Sequence, residues 1–518
     1  MADDSNSPKR HCGCSSSIYF LTILSVALML SRLISGDVLD KIQKERDELV
    51  NKELEMMLGS DIELSDSEIK ANQIIMDLKM DEINWGFEHP GNFTLSKHFF
   101  EYKDRVKDTK LFKLIKAMPK GALLHAHDTA LLGPDYLLQV TYRDNLYVCF
   151  SGDDVDFLFS KALPNTTCGT QWQLMRDARY SSGNVEKFDA NLRKRFGIVI
   201  DNPEEMYTDI NAVWEIFQKF FTVIGPLVCY KLIWEQYFYA TLEALKNDGV
   251  MYFEVRSTLP QLYDLNGNIY DSIETAESYR RVVKKFRNIY PDFLGAKLIY
   301  APLRKVDAKT VESYIETAKE IKRRMPEFLA GFDLVGQEDL GRPLRDFMPL
   351  LVDASKDLDF FFHAGETNWN GMSSDENLFD AIVLGTKRIG HGFGIIKHPV
   401  LMDEIKKRDI ALEVNVVSNA ILKLVSDVRN HPLTNLLAQN MPVVLSSDDP
   451  GIWEAEPLSH DFYVAFLGVS SRHADLKVLK KLALNSLYYS THPDKVELVY
   501  EFEIRWTEFI DHVVKNEW

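Results

Sequence analysis

The stretch Gly121-Ala-Leu-Leu-His-Ala-His127 is a short apolar run that ends in two histidines. It is the first of eight runs rich in strand-forming residues, and longer amphipathic stretches separate them. From the third run onward the starts lie about 20 to 35 residues apart, the length of one strand-helix unit. We predict strands at residues 121–127, 250–258, 296–302, 329–335, 359–364, 388–392, 410–417 and 441–446.

Eight strand-helix units predict an α/β fold in which parallel strands close into a (β/α)₈ barrel, the TIM barrel. An open, doubly wound sheet is the alternative arrangement of such units. The barrel is favoured because no glycine-rich phosphate loop follows the first strand.

Two additions are predicted around this barrel, which we place at residues 101–518. Residues 37–84 carry apolar side chains at helical spacing, so we predict a helix there, in an N-terminal helical segment at 37–100. Such a segment would cover part of the barrel or join a second subunit. Far more chain than one helix needs separates the first two strands. Residues 129–202 are therefore predicted to form an inserted subdomain above the barrel mouth, after which residues 201–247 return to helix.

The first 36 residues have the organisation of a secretory signal peptide. Lys9 and Arg10 precede an apolar stretch at residues 18–30, and the small residues Ser35 and Gly36 fit a cleavage site. An uncleaved signal anchor is the alternative interpretation. Both interpretations place the rest of the chain outside the cytosol. No other stretch of the sequence is long and apolar enough to predict a stable membrane span. We expect a secreted, extracellular protein.

The cysteines and glycosylation sequences agree with this compartment. Of the five cysteines, Cys12 and Cys14 would leave with the leader. Cys149 and Cys168 would close a short loop as a disulfide, whereas Cys229 lies in an apolar run and is expected to be a buried free thiol. Asn92-Phe-Thr and Asn165-Thr-Thr are potential glycosylation sites.

The charge of the chain excludes one class of partner. Lys and Arg total 60 against 77 Asp and Glu, a net charge of −17. An acidic surface repels polyanions, so nucleic acid is not expected to bind. A neutral nucleoside would not be repelled.

Polar side chains cluster where predicted strands end. The carboxyl ends of barrel strands meet on one face, where the active sites of barrel enzymes lie. Each cluster alone has a structural interpretation, such as a backbone hydrogen bond or a helix cap. Together, three of the histidines, the glutamate and one aspartate of these clusters would form a hydrolytic metal site. The clusters are His125, His127 and Asp128 after strand one; His363 and Glu366 after strand five; His391 after strand six; and Asp448 and Asp449 after strand eight.

The expected metal is zinc. His125 and His127 alternate along one strand and so point to the same side. Mixed imidazole and carboxylate ligation suits Zn²⁺ and leaves a position for water. Zinc lowers the pKa of such a water to about 7. The Cys-x-x-Cys signature of the zinc nucleobase deaminases does not occur in the chain.

Four stretches resemble the motifs of the adenosine deaminase family, a family of metal-dependent amidohydrolases, and they occur in the family's order. They are Met118 to His127, His363-Ala-Gly-Glu366, Gly390-His-Gly392 and Ser446-Ser-Asp-Asp-Pro450. The leader, the helical N-terminus, the insertion with its cysteines and Gly331-Phe-Asp-Leu-Val-Gly336 are similar to the secreted branch, the adenosine deaminase-related growth factors.

The resemblance implies a role for each residue that matches a motif. The implied zinc ligands, for one ion per chain, are His125, His127, His363 and Asp448. Glu366 matches the acid that protonates purine N1, and His391 matches the residue that orients and helps deprotonate the attacking water. The implied contacts to the substrate are Asp449 at N7, the Gly336 N–H at N3, and, by weaker analogy, Asp128 and Trp214 at the ribose.

The implied reaction is hydrolytic deamination of adenosine, and of 2′-deoxyadenosine, to inosine and ammonia, together with growth-factor activity. A homodimer and a cell-surface receptor or glycan are further implied partners. Two alternatives stay open: a deaminase of another 6-aminopurine, and a receptor-binding growth factor with a vestigial enzyme site. Gln337 stands where this branch is expected to have histidine, and Asn415-Val-Val-Ser-Asn419 stands where the family often has proline. Both departures bear on substrate affinity.

Overall fold

The protein is described by a computed structural model, which covers residues 38–152 and 154–518. The predicted leader, with Lys9, Arg10 and the first two cysteines, lies outside the described residues. Eight parallel strands stand at the centre of the fold, in chain order, at all eight predicted positions. They are β1 Gly121–His127, β2 Val250–Ser257, β3 Gly295–Tyr300, β4 Leu329–Phe332, β5 His363–Ala364, β6 Arg388–His391, β7 Ala411–Val414 and β8 Val443–Leu445.

The eight strands close into a barrel. Strands β1 to β4 pair in parallel in chain order, and so do β5 to β8. Parallel bridges between Phe332 and Phe360 and between Ala126 and Asp448 join the two groups on both sides. The predicted TIM barrel is therefore confirmed. The strands are almost wholly buried because the barrel interior covers one face and the helices cover the other.

Amphipathic helices surround the barrel and place their apolar sides against it. The helices between and after the strands are Ile210–Val228, Lys231–Asn247, Ser272–Ile289, Ala308–Arg324, Met348–Ala354, Ser373–Val383, Pro399–Arg408, Val416–Ile421, Leu433–Ala438, Ser459–Val464, Leu476–Tyr488 and Lys495–Lys515. Among the described residues, no helix combines the length and the apolar character that crossing a bilayer would require.

The seventh strand is shorter than predicted. The β-branched Val416 and Val417 suggest a strand that continues to 417, but the strand ends at Val414 and a helix begins at Val416. The buried carboxylate of Asp461 accepts a hydrogen bond from Val417 N at 3.0 Å, in the first turn of this helix. A contact from a distant segment therefore overrides the local strand propensity.

The N-terminal region contains two helices where one was predicted. Residues 38–56 are helical, and a second helix spans Asp66–Glu88. The chain turns at Gly59, which has φ +86° and no room for a side chain, since a Cβ there would lie 2.8 Å from Lys477 O. Ser65 then starts the second helix with a capping box.

The second N-terminal helix belongs to the compact unit of the barrel, because the chain divides into two units after Met57. It packs along Lys495–Lys515, where Glu68 accepts hydrogen bonds from Lys480 and from the Trp506 indole. In the helix at 38–56, by contrast, large apolar side chains are exposed, including Leu39, Ile42 and Leu49.

The insertion between β1 and β2 has its own sheet and lies within the same compact unit as the barrel. Its three antiparallel strands are Leu146–Ser151, Asp154–Phe159 and Gln173–Leu174, and its helices are Pro134–Val140, Met175–Ser181, Val185–Arg193 and Pro203–Met206. A disulfide joins Cys149 to Cys168, while Cys229 is a free thiol. Asn92 and Asn165, the residues of the two glycosylation sequences, are both exposed.

Candidate active site

The carboxyl ends of three strands bring the four predicted metal ligands together. His125 and His127 lie at the end of β1 and His363 lies in β5, while Asp448 follows β8. One ligand atom from each of these four residues lies within 4.8 Å of the others. Residues far apart in sequence therefore meet in one group of the size that a single metal ion occupies.

The chemistry of this group fits a cation. Asp448 Oδ1 lies 3.1 Å from His127 Nε2 and 3.4 Å from His125 Nε2. His125 Nε2 is fully buried, yet it makes no hydrogen bond within the described structure. Leaving a buried polar atom unpaired is costly, so this atom requires a ligand. Three imidazoles and one carboxylate are a typical set for zinc.

Two buried carboxylates orient the ligand histidines. Glu413 Oε2 lies 2.8 Å from His125 Nδ1, and Asp333 Oδ2 lies 2.6 Å from His363 Nδ1. An ionised carboxylate only accepts hydrogen bonds, so each Nδ1 carries the proton and donates it. Each Nε2 then presents a lone pair to the centre of the group, as metal ligation requires.

Buried arginines keep these two carboxylates charged. Arg256 donates to Asp333 at 2.9 Å and to Glu413 at 2.6 Å, and Arg388 donates to Glu413 and to Glu254, both at 2.6 Å. Burial alone would raise the pKa of Asp333 and of Glu413. The arginines and the histidines outweigh burial and hold both pKa values well below the ordinary range.

Replacing Arg256 by methionine is expected to lower the free energy of unfolding by about 3 to 5 kcal/mol, because it leaves two buried carboxylates without the positive charge that they share. Chemical denaturation would measure this loss. Arg323→Met is the matched control, since Arg323 is 69% exposed in its pair with Glu320 and its replacement should leave the free energy of unfolding near that of the wild type. Equal losses in the two variants would contradict the importance of the buried network.

Glu366 lies at a turn beyond β5 and lines the cavity beside the metal ligands. Glu338 holds this turn, since its carboxylate accepts from Gly365 N at 3.2 Å and from Glu366 N at 3.0 Å. Glu366 Oε1 is buried and makes no hydrogen bond within the described structure. Burial, and next the negative charges of Asp448 and Glu338, raise the pKa of Glu366 well above its ordinary value. The raised pKa favours the protonated carboxyl group, the form that can donate a proton.

His391 lies at the end of β6, with Nε2 3.9 Å from Asp448 Oδ2. Its backbone is in the left-handed region at φ 60°, an uncommon conformation for a histidine. Burial lowers the pKa of His391 well below its ordinary value, so the ring is neutral. Ser418 donates to Asp448 Oδ2 at 2.7 Å and fixes that carboxylate from the opposite side.

A cavity of about 620 Å³ opens beside these residues. Its lining includes all four residues that were predicted to contact a substrate: Asp449, Gly336, Asp128 and Trp214. Asp449 Oδ1 is buried without a hydrogen bond in the described structure, and burial together with Asp448 raises the pKa of this carboxyl group well above its ordinary value.

Two other residues that line the cavity already have hydrogen-bond partners. Asp128 accepts hydrogen bonds from Tyr279 at 2.6 Å and from Thr129 N at 2.7 Å. Gln337, the first departure from the family pattern, donates to Asn211 at 2.7 Å.

Several functional residues were missed in the sequence. Asp333, Glu413, Arg256 and Glu338 hold the site residues but belong to none of the predicted clusters. Glu413 had a recognisable signal, since it interrupts the apolar strand Ala411–Val414. A charged residue in a wholly buried strand requires a partner.

Comparison with known proteins places this site in a family. The family description "Adenosine deaminase" matches residues 201–501, and "Adenosine/AMP deaminase N-terminal" matches residues 23–115. The "Adenosine deaminase" of Phlebotomus duboscqi is 45% identical over 468 residues, which cover 89% of this chain and 90% of that protein. The "Adenosine deaminase 2" of Homo sapiens is 39% identical over 481 residues, covering 91% and 94%.

Solved structures agree on the fold. The chain resembles an Arabidopsis ADAL complexed with GMP, at 18% identity and a TM-score of 0.54, with 76% of this chain and 99% of that chain covered. The adenine deaminase of Arthrobacter aurescens gives 20% identity and a TM-score of 0.54, with 75% and 99% covered. The matched family description and the close relatives together show that the chain belongs to the adenosine deaminase family.

Proposed function

We propose that this protein is a zinc-dependent hydrolase that converts adenosine, and 2′-deoxyadenosine, to inosine and ammonia. The observation that carries the proposal is the position of Glu366, whose buried Oε1 makes no hydrogen bond in the described structure, beside four convergent metal ligands in a cavity large enough for a nucleoside. Such a site offers a metal ion, a proton donor and an enclosed space, which hydrolytic deamination requires.

His125, His127, His363 and Asp448 would hold one zinc ion. A zinc ion held there would supply a water molecule acidic enough to act as a nucleophile near neutral pH. The carboxylates of Glu413 and Asp333 keep two of these histidines in the ligating tautomer.

Glu366 would donate a proton to N1 of the purine, which makes C6 electrophilic. His391 would orient the water that attacks C6. Asp449, whose raised pKa favours the protonated form, would donate to N7, and the Gly336 N–H would donate to N3. The proton lost by the water is transferred to the amino group, which then leaves as ammonia. The hydroxyl proton of the adduct returns to Glu366, which leaves inosine and the original enzyme.

The purified protein is expected to contain about one zinc per chain and to consume adenosine, followed as loss of its absorbance. Removal of the metal with a chelator should lower turnover at least 100-fold, and added zinc should restore it. The same assay with AMP in place of adenosine distinguishes a nucleoside deaminase, which should leave AMP unchanged, from a nucleotide deaminase, which should consume it. Undiminished turnover in metal-free protein would contradict the proposal.

The proposal includes secretion, with residues 1–36 as a cleaved signal peptide. The disulfide between Cys149 and Cys168 and the exposure of Asn92 and Asn165 support it, since both features are typical of secreted proteins. The exposed apolar side chains of the helix at 38–56 support a contact with a second subunit. Growth-factor activity, with a receptor or glycan partner, stays a prediction from the resemblance.

A further inference from the structure

Two side-chain amides approach the same ring nitrogen of His391. Asn419 Nδ2 lies 3.2 Å from His391 Nδ1, and Asn415 Nδ2 lies 3.4 Å from it. A neutral imidazole has one donor and one acceptor nitrogen, and an amide has a donor end and an acceptor end. The direction of this contact therefore depends on a neighbour whose proton position is fixed.

That neighbour is His431, and a backbone N–H fixes which of its ring nitrogens carries the proton. Leu433 N donates to His431 Nδ1 at 3.0 Å, so Nδ1 of His431 is bare and its Nε2 carries the proton. His431 Nε2 lies 3.0 Å from Asn419 Oδ1 and donates to it. Asn419 must then turn its NH₂ group to His391, and Nδ1 of His391 must be the acceptor. Glu366 Oε1 also lies 3.5 Å from His391 Nδ1, and a protonated Glu366 would donate to this nitrogen as the amides do.

We propose that His431 and Asn419 are positioning residues that hold His391 in the tautomer with the proton on Nε2. His391 then presents a hydrogen-bond donor to the reaction centre, through which it orients the attacking water. A protonated Nε2 cannot accept the proton of this water, so the tautomer assigns His391 the orienting role and not the deprotonation that the resemblance also implies. This inference rests on the proposed function for its kinetic consequences, whereas the tautomer itself is a property of the fold.

The surroundings keep this chain of hydrogen bonds in place. His431 is buried, and burial lowers its pKa to about 3, so the ring stays neutral. The Phe393 ring packs edge-on against it at 5.5 Å. Asn419 lies in the helix Val416–Ile421, which Asp461 holds through Val417 N. The segment that departs from the family pattern at Asn415 thus carries contacts to both His391 and Asp448.

Neutron diffraction on deuterium-exchanged crystals tests the tautomer without reference to activity. We expect a deuteron on Nε2 of both His391 and His431 and none on either Nδ1. A deuteron on Nδ1 of His391 would overturn the proposal, even in an active enzyme.

Asn419→Asp tests the consequence for catalysis. An aspartate can still accept from His431, but it places a second acceptor against Nδ1 of His391 and so favours the opposite tautomer. The wrong tautomer of a catalytic histidine costs about 10⁴-fold in kcat in serine proteases. We expect kcat to fall at least 100-fold, with KM within about threefold and zinc content unchanged. Wild-type kcat in this variant would overturn the proposal.

A pair of His431 variants separates positioning from simple packing. His431→Gln keeps a donor near the position of Nε2 and should keep kcat within about threefold. His431→Asn keeps only the acceptor for Leu433 N and should lower kcat about tenfold or more. His460→Asn is the control, because His460 has the same bonding pattern, accepting from Glu456 N and donating to Lys103 O, both at 2.8 Å.

The control should lose stability without loss of kcat. Equal changes of Tm and kcat in His431→Asn and His460→Asn would overturn the proposal. If wild-type protein fails to deaminate adenosine, the proposed function fails, and the neutron result still decides the tautomer.

Discussion

Replacing Glu366 by glutamine is expected to lower kcat for adenosine by about 10²- to 10⁴-fold, the range that general acid catalysis supplies. Glutamine has nearly the same shape and retains a hydrogen-bond donor, but it cannot transfer a proton. Glu366 is not among the four predicted metal ligands, and its raised pKa favours a neutral carboxyl group, so that its replacement by an amide removes no charge. Zinc content and Tm should therefore stay near those of the wild type.

The experiment compares zinc content, Tm and adenosine turnover in Glu366→Gln with those in Glu376→Gln. Glu376 is a partly exposed glutamate in the helix Ser373–Val383 and pairs with Arg345. The control should match the wild type in all three. Near-normal turnover in Glu366→Gln would show that another group protonates N1. A growth effect on cells that survives in this inactive variant would belong to binding and not to the removal of adenosine.

Replacing His363 by alanine is expected to abolish both metal binding and turnover. The substitution removes one of four ligands, and it also leaves the Asp333 carboxylate without the imidazole that it orients at 2.6 Å. Elemental analysis should find far less than one zinc per chain, and adenosine turnover should fall by at least 10⁴-fold, because both water activation and substrate orientation depend on the intact group.

Thermal unfolding separates this loss from general damage. A ligand that binds only the folded state raises Tm, so added zinc should raise Tm of metal-free wild type but not of metal-free His363→Ala. His398→Ala is the control, a histidine paired with Asp375 rather than with the metal ligands, and it should respond to zinc like the wild type. Full zinc occupancy in His363→Ala would remove His363 from the ligand set.

The sequence predicted the barrel well because its strands are short and mostly apolar and because, from β3 onward, they begin about 20 to 35 residues apart. The convergence of His125, His363 and Asp448 followed from the rule that strand ends meet on one face. Two kinds of feature escaped prediction. The break at Gly59 and the helix that starts at Val416 depend on contacts with distant residues, Lys477 and Asp461. Local periodicity contains no trace of such contacts.

The supporting carboxylates escaped prediction for a different reason. Asp333 and Glu413 lie on separate strands, and their roles depend on which histidine each strand faces. Asn419 and His431 were missed likewise, because their importance lies in a sequence of hydrogen bonds rather than in a motif.

The alternation of acids and bases inside the barrel limits how this protein can diverge over generations. Glu254, Arg388, Glu413, Arg256 and Asp333 form one continuous series across β2, β6 and β7 and the end of β4. Loss of any one member leaves the buried charge of its neighbour without a partner. Substitutions that preserve stability must therefore occur in compensating pairs. Such pairs are rare among random mutations. Lineages descended from this chain should therefore vary first in the outer helices and in the insertion, while the five charged residues change together or stay as they are.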